Sequence, residues 1–139
     1  MSALLDLIKE HEGVVKHAYQ DSRGYWTIGV GRLIDEKLKG GLSDDEIDYL
    51  LANDVKRCED EAVTYPLYAK MDEARKAVII SMLFNLGKPN FDKFQNMQAA
   101  LLVGDFHTAS NEMLNSRWAT QVGHRANHLA QMMRTGEWH

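Results

Sequence analysis

The spacing of apolar residues changes period along this 139-residue chain. Leu4, Leu5 and Ile8 recur at helical intervals and Gly13 closes the segment, which predicts a short amphipathic helix over 3–12 that ends at Glu12. From Val14 to Ile34 the pattern turns strand-like. Tyr25, Trp26, Thr27, Ile28 and Val30 are β-formers, and Asp21-Ser22-Arg23-Gly24, Gly29 and Gly31 interrupt them, so a small twisted sheet of two or three strands is expected, ended by Gly40-Gly41. Ser43 followed by Glu46 reads as a capping box, and Ile47, Leu50, Leu51, Val55 and Ala62 carry a helical stripe to about Thr64, just before Tyr65-Pro66. This long helix would join two lobes. From Asp72 onward the pattern is helical throughout. The stretch AVIISMLFNLG at 77–87 is apolar on nearly every side, which predicts a central buried helix. Further helices are expected near 91–103, 106–115, 117–122 and 125–135, punctuated by Pro89, Gly104, Gly123 and Gly136.

Composition narrows the class. A chain of this length is one domain by the usual prior and can bury roughly two thirds of its unfolded surface. Apolar residues make up 45% and charged residues 26%, as in an ordinary globular protein. Cys58 is the sole cysteine, so no internal disulfide forms, and it reads as a helix residue half in the core. The N-terminal run is broken by Asp6 and Lys9 and lacks a basic lead, so no signal peptide is expected. No apolar run reaches the roughly 20 residues of a membrane span. The net charge of −4 is unevenly spread: residues 1–69 hold 8 Lys and Arg against 14 Asp and Glu, residues 70–139 hold 8 against 6. The second half is the better face toward an anionic polymer.

Candidate chemistry lies in HEGVVKHAYQDSRGYWTIGVGRL. A carboxyl at a helix C-terminus meets the negative end of the macrodipole, and apolar surroundings favour its neutral form, which suits Glu12 as a proton donor. Asp21 falls in a polar, glycine-containing turn where water and backbone donors keep a carboxylate ionised. Thr27, on the strand that follows, can hydrogen-bond a water held by Asp21. A proton donor with a carboxylate and hydroxyl that place a water are the parts of glycosidic-bond hydrolysis. Taken singly, each residue reads more simply as a helix end, a turn-former and a β-former.

The string around these residues adds specificity. Glu12-Gly13, Tyr19, Asp21, Gly24-Tyr25, Thr27-Ile28-Gly29, Gly31, Asn53-Asp54-Val55, Phe84, Gly87, Ser116-Arg117-Trp118, Arg125, Asn127, Arg134-Thr135-Gly136 and Trp138 together resemble the phage-type lysozymes of glycoside hydrolase family 24, from about residue 4 to Trp138. The resemblance implies a lysozyme-like, mainly helical α+β fold. Its small β-sheet N-terminal lobe would span about 13–60 and its helical C-terminal lobe about 61–139, with helix 3–12 packed on the latter and a cleft between the lobes. It further implies that Glu12 is the general acid, that Asp21 assists and Thr27 positions the attacking water, and that Leu33, Phe84, Asn85 and Arg125 line the cleft, with Arg125 near Glu12. The substrate would be bacterial peptidoglycan, cut at the β-1,4 link from N-acetylmuramic acid to N-acetylglucosamine with inversion, which needs carboxyls roughly 6.5–9.5 Å apart. Trp118 and Trp138 match core tryptophans of the family.

The chain also departs from the family. Gly29-Val30-Gly31 is followed by Arg32 where a histidine is common, and Arg32 is expected to pair with Asp54. The chain is shorter than its T-even relative between Ile34 and Ser43, and Met97 and Glu112 replace uncharged polar residues that contact sugar there. Its net negative charge departs from that basic relative, so attraction to anionic walls should be weaker.

Three other readings compete. His124 and His128 stand four apart on one expected helix, as in a zinc amidase, but lack a third ligand at recognisable spacing. A lytic transglycosylase cuts the same bond with one glutamate and has no use for Asp21 and Thr27. A catalytically dead wall-binding module would not need the set of three. The lysozyme reading implies no metal, no cofactor, no nucleic-acid partner and no stable membrane insertion. It describes a monomeric phage endolysin in the host bacterial cytoplasm, dependent on a membrane-permeabilising phage protein to reach the wall.

Overall fold

The computed structural model describes residues 2–35 and 40–139. The fold is α+β and mainly helical, as the period changes anticipated. Its elements are α1 (Ser2–Glu12), β1 (Val15–Gln20), β2 (Trp26–Gly29), β3 (Arg32–Leu33), α2 (Asp44–Ala62), a 3₁₀ turn at Tyr68–Lys70, α3 (Glu73–Leu86), α4 (Lys88–Phe91), α5 (Gln95–Leu102), α6 (Phe106–Leu114), α7 (Arg117–Val122) and α8 (His124–Thr135). Two compact units divide within α2, residues 1–50 and 51–139.

In the first unit the three strands form one antiparallel sheet in the order β1-β2-β3. Tyr19 lies opposite Thr27 and Thr27 opposite Leu33, so β2 is the central strand and Thr27 its buried residue. A register shift between Val15 and Tyr19 bends β1. Among the described residues β3 ends at Leu33, and Ile34 N–H still donates to the Trp26 carbonyl at 2.8 Å; residues 36–39, just before the Gly40-Gly41 expected to end the sheet, lie outside the described residues. The Glu46 half of the capping box forms at the start of α2: Ser43 N–H donates to Glu46 Oε1 at 2.8 Å, while the Ser43 hydroxyl donates to the same oxygen at 2.7 Å.

The second unit holds a continuous apolar core. Val78, Ile79, Met82 and Leu83 of α3 are buried, as the all-round apolar stretch predicted, and Phe91, Met97, Leu101, Met113 and Met133 close over them. Cys58 is nearly fully buried in this core, deeper than expected, and burial pushes its thiol above the ordinary range. Side-chain caps start α3, α6 and α7, where Asp72, Asp105 and Ser116 accept from the N–H groups of Arg75, Thr108 and Ala119.

Two expectations fail here. The helix anticipated near 91–103 begins only at Gln95, because Phe94 leaves helical geometry (φ −78°, ψ 58°), and the separate short α4 ends at Phe91 before it. The break sends Phe91 into the core and Phe94 edge-on against Trp118, while the Gln98 side-chain amide donates to the Phe91 carbonyl at 3.1 Å. Trp138, anticipated in the core, is 67% exposed. Gly136 at φ +71° ends α8 in a left-handed cap, so Trp138 lies beyond the last packed turn. Trp118 is buried as expected.

Candidate active site

Asp21 is organised by its own turn. Its N–H donates to the Tyr25 carbonyl at 2.8 Å, its carbonyl accepts from Gly24 N–H at 2.9 Å, and Gly24 takes φ +84°, which an L side chain rarely adopts. This closure aims two further donors at the side chain: Arg23 and Tyr25 N–H both reach Asp21 Oδ1 at 2.9 Å. The Tyr25 N–H is the main cause that holds the carboxyl below its usual range; desolvation opposes it, and the N–H and charge of Arg23 add to the lowering. Asp21 therefore stays ionised, as its place in a polar turn implied.

Thr27 follows on the same scaffold. Its side chain is 3% exposed and its hydroxyl donates to the Tyr25 carbonyl at 3.0 Å. The backbone of one residue thus serves both groups, with Tyr25 N–H on Asp21 and Tyr25 C=O on Thr27. Strand alternation puts Thr27, Tyr19 and Leu33 on one face of the sheet, because the three are cross-strand partners.

Glu12 is the last residue of α1, where Gly13 N–H caps the Lys9 carbonyl at 2.8 Å and Gly13 takes φ +81°. Its carboxyl lies against Gly31 in the turn between β2 and β3. A Cβ on Gly31 would sit 2.5 Å from Glu12 Oε2, and Gly31 itself has φ +63°. Sequence reasoning used the Gly29-x-Gly31 spacing as a family signature; its physical content is that a glycine leaves room for the glutamate. Gly31→Ala is accordingly expected to displace the Glu12 carboxyl and lower kcat on peptidoglycan by about 10²-fold, since about 1 Å of misplacement has an effect of that order. An unchanged kcat in the alanine variant would dissociate Gly31 from Glu12 placement.

Arg32 does not pair with Asp54. It forms a two-pronged pair with Glu46, through Nη1 to Oε2 and Nη2 to Oε1, the latter at 2.6 Å, and Nη2 also donates to the Gly41 carbonyl at 2.9 Å. Asp54 is held instead by Arg57, one helical turn on, at 2.6 Å. The capping box explains the exchange: Glu46 already turns back over the start of α2, where β3 brings Arg32. Arg32, followed by the Ser43 N–H and hydroxyl, lowers the Glu46 carboxyl to about 2. Glu46 is thus depressed in the folded chain, and its contribution is present above its unfolded value and lost as pH falls through about 2. A carboxyl titration followed by NMR should show Glu46 still ionised at pH 3 in wild type and shifted back toward the ordinary range in Arg32→Ala.

The remaining cleft candidates divide between the units. Leu33 is half-buried beside Thr27. In the second unit Phe84 is 44% exposed, next to the buried Met82 and Leu83 of the same helix. Asn85 Oδ1 accepts the Trp118 indole N–H at 2.8 Å, which leaves its NH2 as the group it can present to a ligand. Arg125 donates to Ser81 Oγ at 3.3 Å. Met97 is buried in the core, so it offers no surface to a sugar. Among the described residues no three His, Cys, Asp or Glu side chains converge as metal ligands, and His128 Nε2 is engaged with the His139 carbonyl at 2.8 Å.

A mainly helical α+β chain with a helix-end glutamate against a glycine turn and an ionised aspartate tied to a strand threonine has the build of a lysozyme. The chain belongs to the phage lysozyme family, which matches it over residues 9–135. It is a hydrolase that lyses peptidoglycan. It is 27% identical to "Probable T4-type lysozyme 1" of Dictyostelium discoideum, covering 98% of this chain and 96% of that protein. It is 28% identical to the endolysin of Acyrthosiphon pisum secondary endosymbiont phage 1, over 83% of this chain and 76% of that one. The pre-baseplate central spike protein of Enterobacteria phage T4 is 22% identical over 96% of this chain, which spans 28% of that longer protein.

Proposed function

We propose that this lysozyme is an N-acetylmuramidase that hydrolyses the β-1,4 bond from N-acetylmuramic acid to N-acetylglucosamine with inversion. Glu12 protonates the leaving oxygen, and Asp21 and Thr27 hold the attacking water. The observation that carries the reading is the shared Tyr25 backbone. Thr27 has one hydroxyl proton and gives it to the Tyr25 carbonyl, so toward a water it can only accept. Asp21, kept ionised, likewise accepts. A water that donates one proton to each turns its lone pairs outward, toward an anomeric carbon, and Asp21 takes the proton as the bond forms.

Contacts to the glycan at Leu33 in the first unit, and at Phe84, Asn85 and Arg125 in the second, belong to the same proposal. So do action as a monomer and, on the likeness to endolysins, accumulation in the host cytoplasm with release to the wall through a membrane-permeabilising phage protein. Among the described residues no helix is long and apolar enough to cross a membrane.

The test digests purified peptidoglycan, weighs the products and reads the first-formed anomer by NMR. Hydrated muramic reducing ends of inverted configuration fit the proposal; products lighter by one water assign a lytic transglycosylase, and retained configuration removes the water-placing role of Asp21. Asp21→Asn should lower kcat about 10²-fold or more. Because Asp21 must be ionised and lies below its usual range, activity governed by it is lost only as pH falls through that lowered value. An acid limb of the rate profile above the ordinary aspartate range of about 3.9 would contradict this assignment.

A further inference from the structure

The turn against which Glu12 lies is weakly tied by its own strand. β3 is two residues long and pairs with β2 through Thr27–Leu33 and Ile28–Arg32. The connection Gly29-Val30-Gly31 has a glycine of positive φ at each end. So short a ladder between two glycines leaves the turn free to shift. Its fixed point is Arg32, the residue after Gly31. The guanidinium holds both Glu46 oxygens and, through Nη2, the Gly41 carbonyl at 2.9 Å. Glu46 cannot follow a moving turn, because the Ser43 N–H and hydroxyl keep its Oε1 at the start of α2, at 2.8 and 2.7 Å. A planar fork engaged in this way sets its own orientation, and with it that of the backbone that carries it.

We propose that Arg32 is a positioning residue for the cleavage: by locking the Gly31 turn to the capped start of α2, it fixes the surface on which the Glu12 carboxyl rests. The contacts run from the α2 cap through Glu46 and Arg32 to Gly31, where Glu12 Oε2 lies 2.5 Å from the place a Cβ would take. All of these residues belong to the first unit. The Arg32 and Glu46 side chains are 46% and 33% exposed, and so open an ion pair adds little to folding stability. Its use is to hold a geometry. The effect on turnover rests on Glu12 as the proton donor, whereas the locking of Gly31 does not.

The test follows the Gly31 amide by NMR relaxation and measures kcat, KM and Tm for wild type, Arg32→Ala, Arg32→Lys and Glu46→Gln, with purified peptidoglycan as substrate. In Arg32→Ala the Gly31 order parameter is expected to fall from about 0.85 to below about 0.6. Its kcat should drop about 10-fold or more at unchanged KM, while Tm moves by less than about 3 °C. Arg32→Lys should recover only part of kcat, since an ammonium cannot hold both oxygens in one plane. Glu46→Gln keeps the cap, which glutamine also makes, and should lie between wild type and Arg32→Ala in kcat. A Gly31 amide as rigid in Arg32→Ala as in wild type overturns the inference, and so does wild-type kcat in a variant whose Gly31 has become mobile. Glu12→Gln measured beside them keeps the two conclusions apart. If it retains turnover, the proton-donor reading fails and the Gly31 relaxation still decides the lock; if it is inactive while Arg32→Ala has full kcat, the positioning role alone is lost.

Discussion

Replacing Glu12 with glutamine is expected to lower turnover of purified peptidoglycan by about 10²–10⁴-fold, the range for loss of a positioned proton donor. Glutamine has the shape of the carboxylic acid but no acidic proton, so the leaving sugar oxygen would depart as an unprotonated alkoxide. The side chain still fits against Gly31, because only an added Cβ at that position crowds the carboxyl. The fold and wall binding should therefore persist, with the loss in kcat rather than KM. Reducing ends counted against wall-bound protein separate the two parameters, and near-wild-type turnover in the glutamine variant would remove Glu12 from the proton-donor role. The comparison with Gly31→Ala is informative: one variant deletes the proton and keeps the placement, the other keeps the proton and moves it.

The largest effect on stability is expected at Arg75. Its guanidinium donates through Nε to the Met133 carbonyl at 2.7 Å and through Nη2 to the Arg134 carbonyl at 2.9 Å, satisfying the last turn of α8 from the side of α3. Nη1 pairs with Asp72 at 2.8 Å, and the group lies 3.4 Å from the centroid of the Phe106 ring. With the side chain only 12% exposed, Arg75→Ala leaves two carbonyls and Asp72 Oδ2 without their cationic donor, though the Asp72 cap on the residue 75 N–H remains, and opens a gap over Phe106. The expected loss is about 3 kcal/mol, or roughly 10 °C in Tm for a chain of this size. Arg75→Lys should recover only part of it, since an ammonium cannot span both carbonyls and Asp72 in one plane. Thermal unfolding by circular dichroism checks both variants; a drop in Tm under about 3 °C for the alanine variant would show that the cap is dispensable. Gly136 belongs to the same joint, because a Cβ there would sit 2.8 Å from Arg75 Nη1.

How much of this was legible along the chain follows from the range of each interaction. Element type depends on residues a few positions apart, and so the helices ending at Glu12, starting after Ser43 and centred on 77–87 were readable, as was the Asp21 turn with its glycine. The ionised state of Asp21 was readable for the same reason, since its donors are two and four residues away. The break at Phe94 and the exposure of Trp138 were not, because both depend on which partners Phe91, Phe94 and Gly136 find in the packed unit.

Ion pairs show the boundary most clearly. Arg32 had several carboxylates within plausible reach, and a family pattern pointed to Asp54; the geometry that brings β3 to the capped start of α2 chose Glu46, fourteen residues away. The role of Gly31 was likewise present as a spacing but empty of cause until Glu12 was found against it. By itself, then, the sequence determined the elements, the residues that could do acid and water-placing chemistry, and the family to which they point, because these are set by local periodicity and residue type. Only the tertiary structure decided which charges meet and which tryptophan is covered, because those depend on distances between segments that no spacing along the chain fixes.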